Sequence, residues 1–360
     1  MPPDPVPKSQ VVDKEKTGPS SEQVGQGISA FLARVLDQLS VTSWLPALFL
    51  VGNVAVLFAL AGKTELSLTS AIQQLVDLRW GAIVVLLFAV IIGAMIIQAF
   101  EFESLRFWEG YLRSPRLQKW AKRRICHFQG QRATLEQDCT RNELDAFDEA
   151  RRRALDDKGT SSEDVLLWNA MEMVMHGRKL DPAEADLADR AAETLNWPSF
   201  ADAALLHVWD ISKLKLSEFP LPHRLLPTRL GNVMRAGEDH VKLGPDEDLE
   251  GFMIRHIDEL PATIVSEHAA YRRRLEMYCG LMFVLGLLVM ISVICVWGST
   301  TGIVWRVLVP LAYVAAAWTC YRAAIASALG FGQALKEANR WVGRAQPALL
   351  SSSLGSDELH

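Results

Sequence analysis

The chain has 360 residues, half of them hydrophobic, with 37 Lys plus Arg against 42 Asp plus Glu and a formal net charge of -5. Its mean hydropathy of +0.12 would suit a slightly apolar soluble protein, yet the apolar residues gather in a few long blocks and the charges fall between them. That segregation excludes a wholly soluble chain, a disordered chain and a disulfide scaffold, and indicates a membrane protein with an aqueous domain.

In chain order, residues 1–22 form a polar tail with Pro2, Pro3, Pro5 and Pro7, expected to be disordered. Residues 23–41 place Ile28, Phe31, Leu32, Val35, Leu36 and Leu39 at helical spacing. This amphipathic helix can lie on the inner membrane surface or pack on the protein's own cytoplasmic helices. A first transmembrane hairpin occupies 42–101, with spans from Trp44 to Ala61, interrupted by Asn53, and from Trp80 to Ile97. A hydrocarbon core needs roughly 20 apolar residues, and its backbone must be helical because no water satisfies the amides. The first span starts too far into the chain, and lacks the small-residue cleavage site, for a signal peptide.

Residues 102–276 read as a cytoplasmic helical domain on a basic juxtamembrane stalk. The second span is expected to continue as a helix to Ser114 and Pro115. A basic helix then runs from Arg116 to Arg124, where Lys119, Trp120, Lys122, Arg123 and Arg124 suit lipid headgroups. From Ala133 to Ala270 the chain turns acidic, 28 Asp plus Glu against 15 Lys plus Arg. Helices are expected over Leu135 to Leu155, after a start at Ser161, over Pro182 to Leu195 behind Asp181 as cap, and from Phe200 to about Trp209. The segment around Phe219, Pro220, Leu221 and Pro222 should be extended. No alternating strands or solenoid repeats appear.

A second hairpin occupies 277–325, with spans from Met277 to Trp297 and from Ile303 to Tyr321 joined by Gly298–Gly302; residues 326–360 follow as a cytoplasmic tail. Cations flank the spans on one side: Arg106 to Arg132 after the second, Arg272, Arg273 and Arg274 before the third, and Lys336, Arg340 and Arg344 after the fourth. Both termini and the central domain are therefore expected on the cytoplasmic side of the membrane. Asn53, Ser292 and Thr319 are expected to hydrogen-bond between helices, and Arg306 to reach the outer headgroups. Small residues along the fourth span and its continuation, from Ala312 to Gly330, favour close helix contact.

Motifs for chemistry are scarce. Gly25, Gly27 and Ala30 match a loose dinucleotide fingerprint, but no strand precedes them. The five cysteines have no metal-ligand spacing, and no cofactor is expected. His256, Asp258, Glu259, Glu267 and His268 read as a solvated helix face. The compact pattern is L-P-T-R-L-G-N-V-M-R-A-G-E-D from Leu226 to Asp239, in which Arg229, Asn232, Arg235 and Glu238 recur every three residues on a helix begun by Pro227 and Thr228. Its glycine, Gly231, would admit a helix or ligand, and Arg229 at the helix start could receive a phosphate or carboxylate. The alternative is a docking helix whose Arg and Glu pair within the domain.

That run, with Thr42 to Pro46 and the juxtamembrane Phe102 to Tyr111, resembles a family of uncharacterised multi-pass membrane proteins of bacteria. The resemblance implies this architecture and a bacterial origin, and brings no activity. The expected fold is thus all-α, four transmembrane helices in two hairpins with a helical cytoplasmic domain inserted between them. The expected role is interaction: a membrane-anchored scaffold or sensor whose acidic domain meets a protein partner or a second copy, with lipids but no nucleic acid among its partners. An oligomeric channel gated by the domain is the alternative. A lipid enzyme would have only Glu101, Glu103 and Glu109 to work with.

Overall fold

The computed structural model describes residues 41–60, 80–112, 114–156, 161–241, 249–297 and 303–354, and is helical throughout, with no strand among them. The elements are α1 (Val41–Leu60), α2 (Trp80–Glu109), α3 (Pro115–Asp156), α4 (Ser162–Met175), α5 (Pro182–Thr194), α6 (Ala203–Leu216), α7 (Arg229–Asp239), α8 (Leu249–Arg255), α9 (Ala262–Trp297) and α10 (Ile303–Leu354). Short 3-10 turns stand at Trp197–Ser199 and Pro222–Arg224. The tail, most of the amphipathic helix and the Gly298–Gly302 turn lie outside the described residues.

Three helices are long and apolar enough to cross a membrane: Gly81–Glu109 in α2, Ala262–Cys295 in α9 and Ile303–Arg344 in α10. A shorter apolar stretch, Trp44–Phe58, lies in α1. The apolar stretches of α2 and α10 bury little of what makes them apolar, and α9 buries more. Val85 is 67% exposed, Met95 62%, Ile294 70% and Ile303 71%, and Phe58, Val304 and Val307 also face outward. Such a belt of apolar surface is stable against lipid and not against water.

Inside the belt the helices pack on one another through α1–α2, α1–α9, α2–α9 and α9–α10 contacts. Ala47, Leu57, Ala94, Ile97, Val284 and Leu288 form a shared core, extended by Val309 and Tyr313. Buried Pro46 sits on Gly280 of α9. The Tyr313 hydroxyl donates to Asn53 Oδ1 at 3.0 Å, tying α10 to α1 as expected for a polar residue inside apolar helices. Ser292 and Thr319 differ from expectation. Their hydroxyls donate to carbonyls of their own helices, Val289 and Ala316, three residues back, a bond that short side chains make without a partner helix. A second bond between helices runs from Ser104 Oγ to the Cys279 carbonyl, joining α2 and α9.

Several boundaries differ from the sequence-based expectation. The stalk stops at Glu109, because Gly110 takes a left-handed φ of 105° and the Tyr111 N–H turns back onto the Arg106 carbonyl, a glycine helix stop. The basic helix and the acidic helix after it are one element, α3, of 42 residues and about 63 Å. Charge changes sign along it without a break. The span ending at Tyr321 also continues, with α10 helical to Leu354.

The distal part of α3 carries its own core. Ala146, Phe147, Ala150 and Ala154 pack on Trp168 of α4 and Trp197, with Phe147 ring centroids 5.7 Å from both indoles. Local signals set the surrounding helices. Ser161 and Asp164 form a capping box at α4, and Asp181 and Glu184 form another at α5 ahead of Pro182. The helix expected from Phe200 begins at Ala203, capped by Asp202, and runs on to Leu216. Arg153 and the amide of Ala204 hold the Asp202 carboxyl below the usual carboxylate range.

Candidate functional site

The L-P-T-R-L-G-N run lies where the membrane helices meet the rest of the chain. Thr228 is the cap of α7: its Oγ1 accepts from the Gly231 N–H at 3.0 Å and donates at 2.7 Å to the Glu109 carbonyl at the end of α2. A Cβ on Gly231 would run into that carbonyl, and a Cβ on Gly110 would lie 2.6 Å from Pro227 Cγ. The stopped end of α2 therefore fits against bare backbone at the start of α7. Leu230 and Val233 then enter a core with Leu275, Cys279, Met282, Ala324, Ile325 and Ala328 of α9 and α10. At the far end Gly237 crosses Gly332 of α10, where a Cβ on Gly237 would lie 2.8 Å from the Gly332 Cα.

The four candidate side chains do not converge on one ligand. Arg229 reaches outward to Glu218 at 2.6 Å. Asn232 points inward, 1% exposed, and its Oδ1 accepts the Leu226 N–H at 2.7 Å. Arg235 and Arg224 both hold Glu238 at 2.7 Å, Arg235 also donates to the Tyr111 hydroxyl, and Arg224 pairs with Asp239. Burial opposes the charge on Arg235, but the Tyr111 hydroxyl and Glu238 outweigh it and hold its pKa above the ordinary arginine value. Every third residue of α7 thus serves a different neighbour, the pairing of a docking helix.

The other candidates separate in a similar way. Glu103 is exposed while Glu101 and Glu109 are half-buried. The His256 group is not one helix face: α8 ends at Arg255 and α9 begins at Ala262, beyond Pro261. His256 bonds Glu259 at 2.8 Å, and His268 lies 4.7 Å from the Phe331 ring. Among the described residues no group of three His, Cys, Asp or Glu could hold a metal ion.

Of the headgroup candidates, Lys119, Trp120, Lys122 and Arg123 are exposed along the first turns of α3. Arg124 is different. Its guanidinium lies 4.8 Å from the Phe128 ring, and its Nε is buried with no acceptor among the described residues. It lines an open cleft of about 1070 Å³ between α3, the end of α6, the start of α7 and α10, together with His127, Lys215, Arg229, Trp318 and Tyr321. Sequence reasoning had Arg124 and Arg229 in separate groups and missed the rest, which stand up to about 200 residues apart.

No family model, curated protein or solved structure matches the chain. The functional reading accordingly rests on the residues themselves.

Proposed function

We propose that the protein is a membrane-anchored scaffold or sensor that presents an acidic helical module to a cytosolic protein. The observation that carries this reading is a row of apolar side chains on α6, facing water: Val208 is 47% exposed, Ile211 37% and Leu214 62%. A folded module with its own aromatic core has no use for such a row unless another surface covers it. The acidic balance of 133–270 surrounds it with charge that selects a basic partner.

In this reading α1 crosses the bilayer as a fourth span beside the three longer apolar helices, and both termini lie in the cytoplasm of a bacterial inner membrane. The cations at Arg106 to Arg132, Arg272 to Arg274 and Lys336 to Arg344 support that orientation. The resemblance of the Leu226–Asp239 run to bacterial multi-pass proteins supports the setting. An oligomeric channel is the second reading, favoured by Ala312, Ala315 and Thr319, small residues exposed along the apolar part of α10.

A photo-crosslinking residue placed at Leu214 in intact cells tests the proposal. One recurrent protein adduct, lost when Val208 and Leu214 become Asp, is the expected result. Adducts only with lipid or with a second copy, together with ion flux through the purified protein in vesicles, would replace the scaffold by the channel.

A further inference from the structure

We infer that the cleft between α3, α6, α7 and α10 is a binding site for one anionic phospholipid, its phosphate held by Arg124 and Lys215 and its glycerol and upper acyl carbons against Trp318 and Tyr321. The inference rests on the embedding of α10 in a membrane and not on the scaffold role.

Charge makes the first argument. Arg124, Lys215 and Arg229 bring three permanent cations to the cleft against a single carboxylate, Glu218, which Arg229 already holds. Among the described residues no carboxylate is paired with Arg124 or Lys215. The Arg124 guanidinium lies near the Phe128 ring with no carboxylate paired to it among the described residues, and a phosphate oxygen reaching it from the cleft supplies a charge-assisted bond. Guanidinium and ammonium groups are also the usual donors to phosphate.

Position makes the second. Trp318 and Tyr321 close the apolar stretch of α10, their rings 6.0 Å apart, and Trp318 is 62% exposed. Indole and phenol rings favour the boundary between hydrocarbon and headgroups. On the other wall the Phe128 and Phe219 rings lie 6.2 Å apart in a tilted pair, so apolar rings line the cleft beside the cations of its rim. A soluble phosphate would need only the rim. An amphiphile with a phosphate and an acyl chain uses both, and at about 1070 Å³ the cleft has room for a headgroup and the start of a chain.

The test is native mass spectrometry of the full chain released from micelles containing palmitoyl-oleoyl phosphatidylglycerol or the corresponding phosphatidylcholine. One phosphatidylglycerol per chain should be retained in preference to phosphatidylcholine. Each cation removed, in Arg124→Gln and Lys215→Gln, should weaken retention by about fivefold, and Arg124→Lys should restore most of it. Lys215 is a surface side chain, so its variant folds even if Arg124→Gln does not. Arg178→Gln with Lys179→Gln, exposed cations between α4 and α5 and outside the cleft, should leave the preference intact. Equal retention of the two lipids, indifference to Lys215→Gln, an equal loss in the Arg178 and Lys179 variant, or displacement of the lipid by excess inorganic phosphate would each overturn the inference. Quenching of tryptophan by brominated phosphatidylcholine reports embedding separately, so a failed site and a failed membrane reading give different results.

Discussion

Gly237→Ala should loosen the joint between α7 and the membrane helices, although alanine is the better helix former. Two effects oppose each other. Alanine in a helix interior gains about 0.5–1 kcal/mol over glycine through the entropy of the unfolded chain. Against this, the new methyl would lie 2.8 Å from the Gly332 Cα. Ordinary contact begins near 3.4 Å, so α7 and α10 must separate by about half an ångström along a line where both present backbone. Overpacking of this kind costs about 1–3 kcal/mol. Leu230 and Val233 sit on the same face and would be drawn from their core with Leu275, Met282 and Ala328, so the larger cost prevails. The net expectation is a loss of about 1–2 kcal/mol. Gly343→Ala is the internal control: it lies on α10 with nothing within 4 Å of its Cβ and should stabilise. Unfolding of the full chain in micelles by added denaturing detergent, followed by helical circular dichroism, measures both. If Gly237→Ala is as stabilising as Gly343→Ala, the close crossing of α7 and α10 is wrong.

Three further outcomes follow from separate parts of the structure. Thr228→Ala removes the hydroxyl that serves both Gly231 N–H and the Glu109 carbonyl, and should cost about 1–2 kcal/mol in the same assay, with Thr228→Ser close to wild type. Phe147→Ala empties the centre of the distal aromatic core, where Phe147 is 0% exposed, at a cost of about 3–5 kcal/mol; limited proteolysis should then cut α4–α6 while α9 and α10 stay protected. The Asp202 carboxyl is held low in the folded chain, so its contribution is present above its unfolded pKa and is lost as pH falls through the lower folded value. Asp202→Asn keeps a cap acceptor but not the charge, so it should lower stability slightly at neutral pH, converge with wild type in acid, and thereby flatten the acid limb of a thermal-stability profile. An acid limb as steep as that of wild type would remove Asp202 from the account.

Local signals were the legible ones. Ser161 with Asp164 and Asp181 with Glu184 announce helix starts because a cap is made within four residues, and the structure forms both boxes. Apolar runs announce α2, α9 and α10 because lipid requires length and composition alone. Asn53 announced a bond between helices without naming Tyr313, since an amide in hydrocarbon must find some partner. What could not be read depends on where the chain folds back. The continuity of α3 was hidden because its charge reverses near Arg132, and composition was taken for a boundary where the backbone has none. The cleft was hidden because its cations come from three separate elements.

The Leu226–Asp239 run shows why a dense motif need not be a ligand site. Its spacing of Arg229, Asn232, Arg235 and Glu238 invites the picture of one polar row receiving one anion. Arg235 and Glu238 pair with each other, and beyond that pair the four reach different neighbours: Glu218 after α6, the approach at Leu226, Tyr111 after α2, and Arg224. The glycines among them meet backbone, Gly231 at Glu109 and Gly237 at Gly332. A short helix that must touch the end of one membrane helix, the side of another and the root of the distal module has few unconstrained positions. Such a joint accounts for the density of the run without any ligand. The end of α2 and the rim of the cleft therefore meet the same short helix, Glu109 at Gly231 and Glu218 at Arg229.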